Sequence, residues 1–184
     1  MLAAMATHEA SPCLLLSGCE ALWRLCDAPG GTTARAAAEL GAVTQLCAVL
    51  RRFPGDRPLL QYACEALARI CRLTELGRDE CHAAAAAAAD VLRSQPRDPG
   101  LLRSASGLLW RLAADEPGAL GSMPGLPGLL RNAAAVGCEE AQWLLECEPW
   151  KASPKARLTT TAPGIQRWGR LAPLAPEGLR VPGG

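Results

Sequence analysis

Apolar and polar positions recur along this chain in three similar segments. Residues 19–26 read Cys-Glu-Ala-Leu-Trp-Arg-Leu-Cys, and residues 64–71 read Cys-Glu-Ala-Leu-Ala-Arg-Ile-Cys, so the two segments agree at six of eight positions. A looser copy at residues 106–113 reads Ser-Gly-Leu-Leu-Trp-Arg-Leu-Ala. The three copies are thus nearly evenly spaced along the chain. A helical unit that recurs at such a period is typical of stacked helical repeats.

Each copy divides into an apolar face and a polar face when it is placed on a helix at about 100° per residue. The residues expected on the apolar side of the first copy are Cys19, Leu22, Leu25 and Cys26. Glu20 and Arg24 lie on the opposite side, as do Glu65 and Arg69 in the second copy. The third copy has Gly107 and Arg111 at these positions.

Capping residues and breakers predict where the helices begin and end. The predicted helices cover residues 12–27, 32–40, 43–52, 58–73, 80–93, 101–114, 128–135 and 138–147. Proline follows a capping serine at the start of the first helix, and Gly41 separates the second from the third. The run of seven alanines from Ala83 to Ala89 favours a helix whose packing is either close or weak. We expect residues 1–10 to be a flexible N-terminus.

The composition agrees with an all-α fold. Apolar residues make up 49% of the chain, aromatic residues only 4%, and alanine and leucine supply most of the predicted core. Both are strong helix formers, and clusters of strand-favouring residues are absent from the sequence. Residues 151–184 contain five prolines, five glycines, six basic side chains and one acidic side chain. We therefore predict a disordered, basic, Pro/Gly-rich tail at residues 149–184.

The order of short helix, glycine, medium helix, turn and long helix in residues 32–73 resembles the armadillo repeat. Gly41-Ala42-Val43 and the Ala-Leu-x-Arg-Ile-Cys ending carry the resemblance, which extends more weakly over residues 11–148. It implies a right-handed α-solenoid of three to four armadillo-like repeats. It also implies a concave face, lined by the third helix of each repeat, that binds an extended peptide.

The nine cysteines do not indicate a metal-binding, redox or catalytic site. Their number is odd, and none of them forms the Cys-x-x-Cys spacing of a zinc or redox site. Five of them, Cys19, Cys26, Cys47, Cys64 and Cys71, fall at apolar helical positions. We interpret them as core residues of a reduced, intracellular protein, in the cytoplasm rather than the nucleus.

The sequence offers no catalytic, cofactor-binding or metal-binding site, and we expect no enzyme. Cys81 and His82 are adjacent, so on a helix they point about 100° apart and do not converge. No phosphate-binding glycine loop is present. The net charge of +1 does not predict nucleic-acid binding, and no apolar run is long enough to span a membrane.

Candidate partner-binding residues come from the polar side of the three copies. They are Arg24, Arg69, Arg111, Glu20, Glu65, Trp23 and Trp110. One interpretation is a solvated face in which each glutamate pairs with the arginine four residues later. The other is a ladder of arginines that holds an acidic or extended segment through bidentate contacts. The tryptophans either pack between adjacent repeats or anchor a partner.

The polar positions differ from those of the nuclear-import branch of the armadillo family. That branch has tryptophan at the position of Glu20 and asparagine at the position of Arg24, so the resemblance does not imply binding of basic nuclear-localisation peptides. We therefore expect a monomeric, non-enzymatic scaffold that binds a protein segment. The alternative is a regulatory arm of a larger protein with a kinase-like or other catalytic domain.

Overall fold

The computed structural model describes residues 1–27, 31–121 and 123–147, which form helices and turns and contain no strand. The all-α class predicted from the sequence is thus confirmed. The prediction of a disordered tail at residues 149–184 lies outside the described residues. The helices in the described residues are α1 (Leu2–Thr7), α2 (Pro12–Cys26), α3 (Thr32–Glu39), α4 (Ala42–Arg52), α5 (Arg57–Leu73), α6 (Arg78–Ser94), α7 (Pro99–Asp115), α8 (Pro117–Gly121), α9 (Leu126–Ala135) and α10 (Glu139–Cys147).

Local sequence sets the ends of these helices close to the predicted bounds. Asp56 caps α5 by accepting a hydrogen bond from the Leu59 amide at 3.1 Å. Asp98 caps α7 in the same way, accepting from the Leu101 amide at 3.0 Å. These bonds satisfy amide groups that the first turn of a helix leaves without a partner. Gly41, which separates α3 from α4, has a φ of 79° that only glycine adopts readily.

The first ten residues include a helix that the sequence did not predict, and their predicted flexibility stays a prediction. Residues 2–7 form helix α1, and Met5 is 1% exposed. Gly18 explains this burial, because a Cβ at that position would lie 2.5 Å from the Met5 sulfur atom. Gln45 on α4 also donates a hydrogen bond to the Leu2 carbonyl at 3.1 Å. The absence of a side chain at Gly18 thus lets α1 pack closely on α2.

The helices pack in two rows. In the long-helix row α2 packs on α5, α5 on α7, and α7 on α10. In the second row α1 contacts α4, α4 packs on α6, and α6 contacts α9. The rows join where α4 packs on α5 and α6 packs on α7. The three copies of the repeated segment lie on α2, α5 and α7, so successive copies lie side by side on neighbouring long helices.

Leucine, alanine and cysteine fill the space between the two rows. The five cysteines assigned to the core are buried, with exposed fractions of 2% or less. Burial raises the pKa of the Cys19 thiol to about 12 and that of the Cys47 thiol to about 11. These thiols therefore stay protonated at neutral pH, and the prediction that they act as core residues is confirmed.

The alanine run packs closely. Five of its seven residues are at most 5% exposed: Ala84, Ala85, Ala87, Ala88 and Ala89. They lie on α6, which contacts α4, α7, α8 and α9. Small side chains allow several neighbouring helices to approach one helix, because each contact needs little room. Of the two alternatives left by the sequence, close packing is the one that holds.

Candidate functional site

The repeated arginines differ strongly in exposure, although they occupy the same position of the repeat. The Arg24 side chain on α2 is 69% exposed, the Arg69 side chain on α5 is 15% exposed, and the Arg111 side chain on α7 is 35% exposed. A uniform ladder of solvent-facing arginines is therefore not formed. The difference follows from what each guanidinium contacts.

Arg24 follows the simple helix-surface pattern. Its Nη2 lies 2.6 Å from Oε1 of Glu20, one helical turn earlier. The predicted pair of Glu20 and Arg24 is thus present. Because the arginine is largely exposed, solvent and salt screen the interaction, and its contribution to stability is small.

Arg69 departs from the predicted pattern and contacts the preceding repeat. Its guanidinium donates to the Asp27 carboxylate, which follows the last residue of α2. Glu65 instead accepts a hydrogen bond from the Ser104 hydroxyl on α7 at 2.8 Å. The expected ion pair between Glu65 and Arg69 is therefore wrong, because each side chain finds a partner on a neighbouring helix. A cation at the carboxyl end of α2 is also favoured by the helix dipole.

Arg111 makes the equivalent contact one repeat later. Its Nε donates to the carbonyl oxygen of Cys71 at 3.2 Å, near the carboxyl end of α5. Its Nη2 lies 3.2 Å from Oδ1 of Asp115 on its own helix. Arg69 and Arg111 therefore both tie a long helix to the carboxyl end of the long helix before it.

The two tryptophans of the repeat pack between long helices. Trp23 on α2 lies against Tyr62 on α5, with ring centroids 5.7 Å apart and ring planes inclined by 53°. Trp110 on α7 lies against Trp143 on α10, with centroids 6.5 Å apart. Both tryptophans of the repeat are half-buried. Each tryptophan thus contacts an aromatic side chain of the neighbouring long helix, and the anchoring of a partner stays a prediction.

A cleft of about 550 Å³ lies beside Arg111. Its lining residues come from α3, α5, α7 and the turn after α5: Arg35, Ala38, Glu39, Arg72, Leu73, Thr74, Glu75 and Arg111. We call it the arginine cleft, because arginines from three helices line it. Two carboxylates also line it, so its charge is mixed, with one more cation than anions.

The cations of the arginine cleft are incompletely neutralised. Burial lowers the pKa of the Arg72 guanidinium, and the charges of Arg69 and Arg111 lower it further. Its nearest carboxylate is that of Asp27, at 4.0 Å. Arg35 is exposed and forms no ion pair or hydrogen bond with another side chain in the part of the chain that the structure describes. Crowded guanidinium groups favour the approach of an anion, which reduces their mutual repulsion.

Metal binding and thiol chemistry can be examined from the arrangement of side chains in the described residues. Within residues 1–27, 31–121 and 123–147, no group of three or more histidine, cysteine or acidic side chains is arranged to hold a metal ion. Cys81 is buried, and burial raises its thiol pKa, with further raising by nearby carboxylates. This environment disfavours the thiolate that nucleophilic catalysis requires. Across the same described ranges, every helix is too short or too polar to cross a bilayer.

Sequence reasoning missed four residues of this region: Asp27, Arg35, Arg72 and Ser104. Asp27 directly follows the first copy of the repeat, and its counterpart after the second copy is Arg72. Ser104 corresponds to Tyr62 when the third copy is aligned on the second. An alignment that also includes the residues flanking the three copies indicates these positions as candidates. Arg35 carries no such signal, because it belongs to a helix that occurs in only one repeat.

Comparison of the chain with protein-family models, with characterised proteins and with solved structures gave no match.

Proposed function

We propose that this chain is a non-enzymatic scaffold with an armadillo-like solenoid fold, and that it binds an acidic segment of a partner protein in the arginine cleft. The packing of consecutive long helices that carry the three copies of one segment supports the solenoid. The resemblance of residues 32–73 to the armadillo repeat supports it independently. Binding through a surface, rather than catalysis, is the usual role of such an array.

The arrangement of Arg35, Arg72 and Arg111 carries the choice of ligand. Three helices contribute these arginines to the lining of one cleft, and the pKa of Arg72 is lowered by burial and by the charges of Arg69 and Arg111. An acidic side chain bound there gains charge-assisted hydrogen bonds, and arginine is suited to hold carboxylates bidentately. Glu39 and Glu75 at the rim would disfavour a run of acidic residues that overlaps them. The proposed ligand therefore carries one or two carboxylates at the centre of the bound segment.

This proposal modifies the arginine ladder. Arg69 and Arg111 are used between helices, so their removal would disturb the stack as well as any binding. Arg35 and Arg72 carry the proposed contacts instead, because their side chains are more accessible. Arg111 contributes charge from the cleft wall while it stays bonded to the Cys71 carbonyl.

A binding titration with a defined acidic probe tests the proposal. The probe is a fluorescently labelled peptide with two adjacent glutamates flanked by serine and glycine, and fluorescence anisotropy reports binding at low and physiological salt. We expect the Arg35→Ala/Arg72→Ala double variant to bind the peptide at least about tenfold more weakly than the wild-type chain, since two charge-assisted contacts are lost. The matched control is Arg97→Ala/Arg103→Ala, which removes two exposed arginines outside the cleft.

Two results would contradict the proposal. Equal weakening in the two double variants would mean that general charge attraction, rather than the cleft, holds the peptide. Absence of binding to the wild-type chain at low salt would remove the acidic segment as the ligand. Circular dichroism of each variant verifies that the helices remain folded.

A further inference from the structure

One stripe of α5 lies against α2. Tyr62 packs on Trp23 with ring centroids 5.7 Å apart, and Arg69 pairs with Asp27. Ala66 lies on the same face of α5, because it is one helical turn after Tyr62 and one before Arg69. All three members of the stripe are covered: Ala66 is 0% exposed, Tyr62 is 9% exposed, and the Arg69 side chain is 15% exposed.

The corresponding stripe of α2 is uncovered. Aligning the first copy of the repeat on the second places Ser17, Ala21 and Arg24 at the positions of the α5 stripe. Ser17 is exposed, Ala21 is half-buried, and the Arg24 side chain is 69% exposed. Leu25 is 48% exposed, whereas its counterpart Ile70 is 0% exposed. The prediction that Leu25 lies in the core is therefore wrong, because among the described residues no long helix packs on this side of α2.

The glutamate and the arginine of the repeated segment have different partners on α2 and on α5. On α2, Arg24 pairs with Glu20 of its own helix at 2.6 Å, and both charges lie close enough to Tyr62 of α5 to affect the pKa of its hydroxyl. On α5, where a helix lies alongside, Arg69 has left Glu65 and pairs with Asp27 beyond the last turn of that helix. The α5 arrangement therefore indicates what the α2 arginine contacts when a helix covers it.

We propose that the α2 stripe, formed by Ser17, Ala21, Arg24 and Leu25, binds an α-helix of a partner protein. The helix lies along α2 as α2 lies along α5, and an acidic residue just beyond its last turn pairs with Arg24. Small or aliphatic residues of the partner helix cover Ala21 and Leu25, because these two side chains are apolar. This site is separate from the arginine cleft and does not depend on what that cleft binds.

Charge and geometry both favour this occupant. The carboxyl end of a helix carries partial negative charge, and an acidic residue beyond it adds a full charge, so both attract Arg24. Burying the exposed part of Leu25 adds apolar stabilisation in proportion to the apolar area removed from water. A short isolated helix is marginal in water, so we expect the partner helix to belong to a folded protein.

A tethered helix tests the proposal in the full-length chain. A copy of residues 12–27, the segment that covers the α5 stripe, is joined to Met1 through a Gly/Ser linker of about 15 residues, which spans roughly 20 Å. Tethering raises the effective concentration to the millimolar range. We expect the fusion to raise the urea midpoint of unfolding by about 0.5 M. We also expect slower hydrogen exchange in α2.

Charge reversal makes the test specific. Replacing Asp27 of the appended copy by lysine should abolish the rise in the urea midpoint. The Arg24→Glu change in α2 of the original chain should abolish it as well. Combining the two changes should restore the gain, because the ion pair is rebuilt with its charges exchanged. The matched control is Arg103→Glu on α7, which should leave the gain unchanged, because Arg103 is exposed and belongs to neither stripe.

Three outcomes would overturn the proposal. The first is no rise in midpoint for the fusion with the unaltered copy. The second is a rise that persists in Arg24→Glu, which would mean that the copy binds elsewhere. The third is a dimer of the unfused chain in analytical ultracentrifugation that dissociates in Arg24→Glu, which would assign the stripe to a second copy of this chain instead of a partner helix.

Discussion

The junction between α2 and α5 and the junction between α5 and α7 solve the same packing problem with different side chains. In the first, the tilted rings of Trp23 and Tyr62 pack against each other, and Arg69 pairs with a carboxylate beyond α2. In the second, the position of Tyr62 is taken by Ser104, which bonds to Glu65, and Arg111 donates to a backbone carbonyl of α5. The first junction is mainly aromatic, and the second is mainly polar.

Some contacts are shared by the two junctions, and others occur in only one of them. Both junctions keep an arginine at the carboxyl end of the preceding helix, even though the residue that follows the repeated segment is Asp27 in the first copy and Arg72 in the second. Where the aspartate is lost, the arginine uses a carbonyl oxygen and Asp115 instead. The contact of the arginine with the helix end is therefore the shared feature, and the aromatic pair is specific to one junction.

Removing the aromatic ring of Tyr62 is expected to have the largest effect. Tyr62→Ala should lower the free energy of unfolding by about 3 kcal/mol, because a large buried side chain is lost and a cavity remains. Chemical denaturation measures the loss. A double-mutant cycle with Trp23→Ala should give a coupling of about 1 kcal/mol for the ring contact. A coupling near zero would mean that the two rings contribute only through burial and not through each other.

The polar junction should respond less to the change at the corresponding position. Ser104→Ala removes the hydroxyl that bonds to the Glu65 carboxylate, and we expect a loss of about 1–2 kcal/mol by the same denaturation measurement. Ser94→Ala, which removes an exposed hydroxyl at the end of α6, is the control. If Ser104→Ala lowered the free energy of unfolding as much as Tyr62→Ala, the contrast between an aromatic and a polar junction would be wrong.

The pH dependence of stability should identify the polar junction through Glu65. Burial raises the pKa of its carboxyl group above the ordinary value, while the Ser104 hydrogen bond and the charge of Arg69 oppose that rise. The folded state therefore holds the proton more tightly than the unfolded state. Its contribution to stability is full below the unfolded pKa and is lost as pH rises from about 4.5 through the raised folded pKa.

Glu65→Gln should remove this decline, since glutamine does not titrate and its side-chain oxygen still accepts from Ser104. Urea unfolding between pH 4 and pH 8 measures the slope. The Glu20→Gln variant retains Glu65 and should keep the decline. A wild-type stability that rises steadily over this range, with the same slope in Glu65→Gln, would contradict the assignment.

Much of the fold follows from local sequence. The proline and glycine breakers, the capping aspartates and the repeated segment place most helices close to their observed ends. The burial of Cys19, Cys64 and their counterparts follows from helical periodicity alone. These features depend on residues close in the chain, which is why sequence reasoning reaches them.

Contacts between repeats could not be predicted in the same way. A helical wheel pairs Glu65 with Arg69, but it does not show that Ser104 and Asp27 lie closer to them. It also places Leu25 in the core, because it assumes a neighbour on every apolar side. The helix at residues 2–7 was missed because its burial depends on the small size of Gly18, which belongs to the next helix. Such outcomes depend on which helix lies alongside, and that information is not local.

The repeat arginines Arg69 and Arg111 tie α5 and α7 to the carboxyl end of the preceding long helix, whereas Arg24 makes no such contact with the described residues. The most direct measurement compares the free energies of unfolding of Arg24→Ala and Arg69→Ala. We predict a loss of about 1 kcal/mol for Arg69→Ala, because an ion pair with a largely covered arginine is broken, and a change of no more than about 0.3 kcal/mol for Arg24→Ala. Equal losses in the two variants would contradict the account.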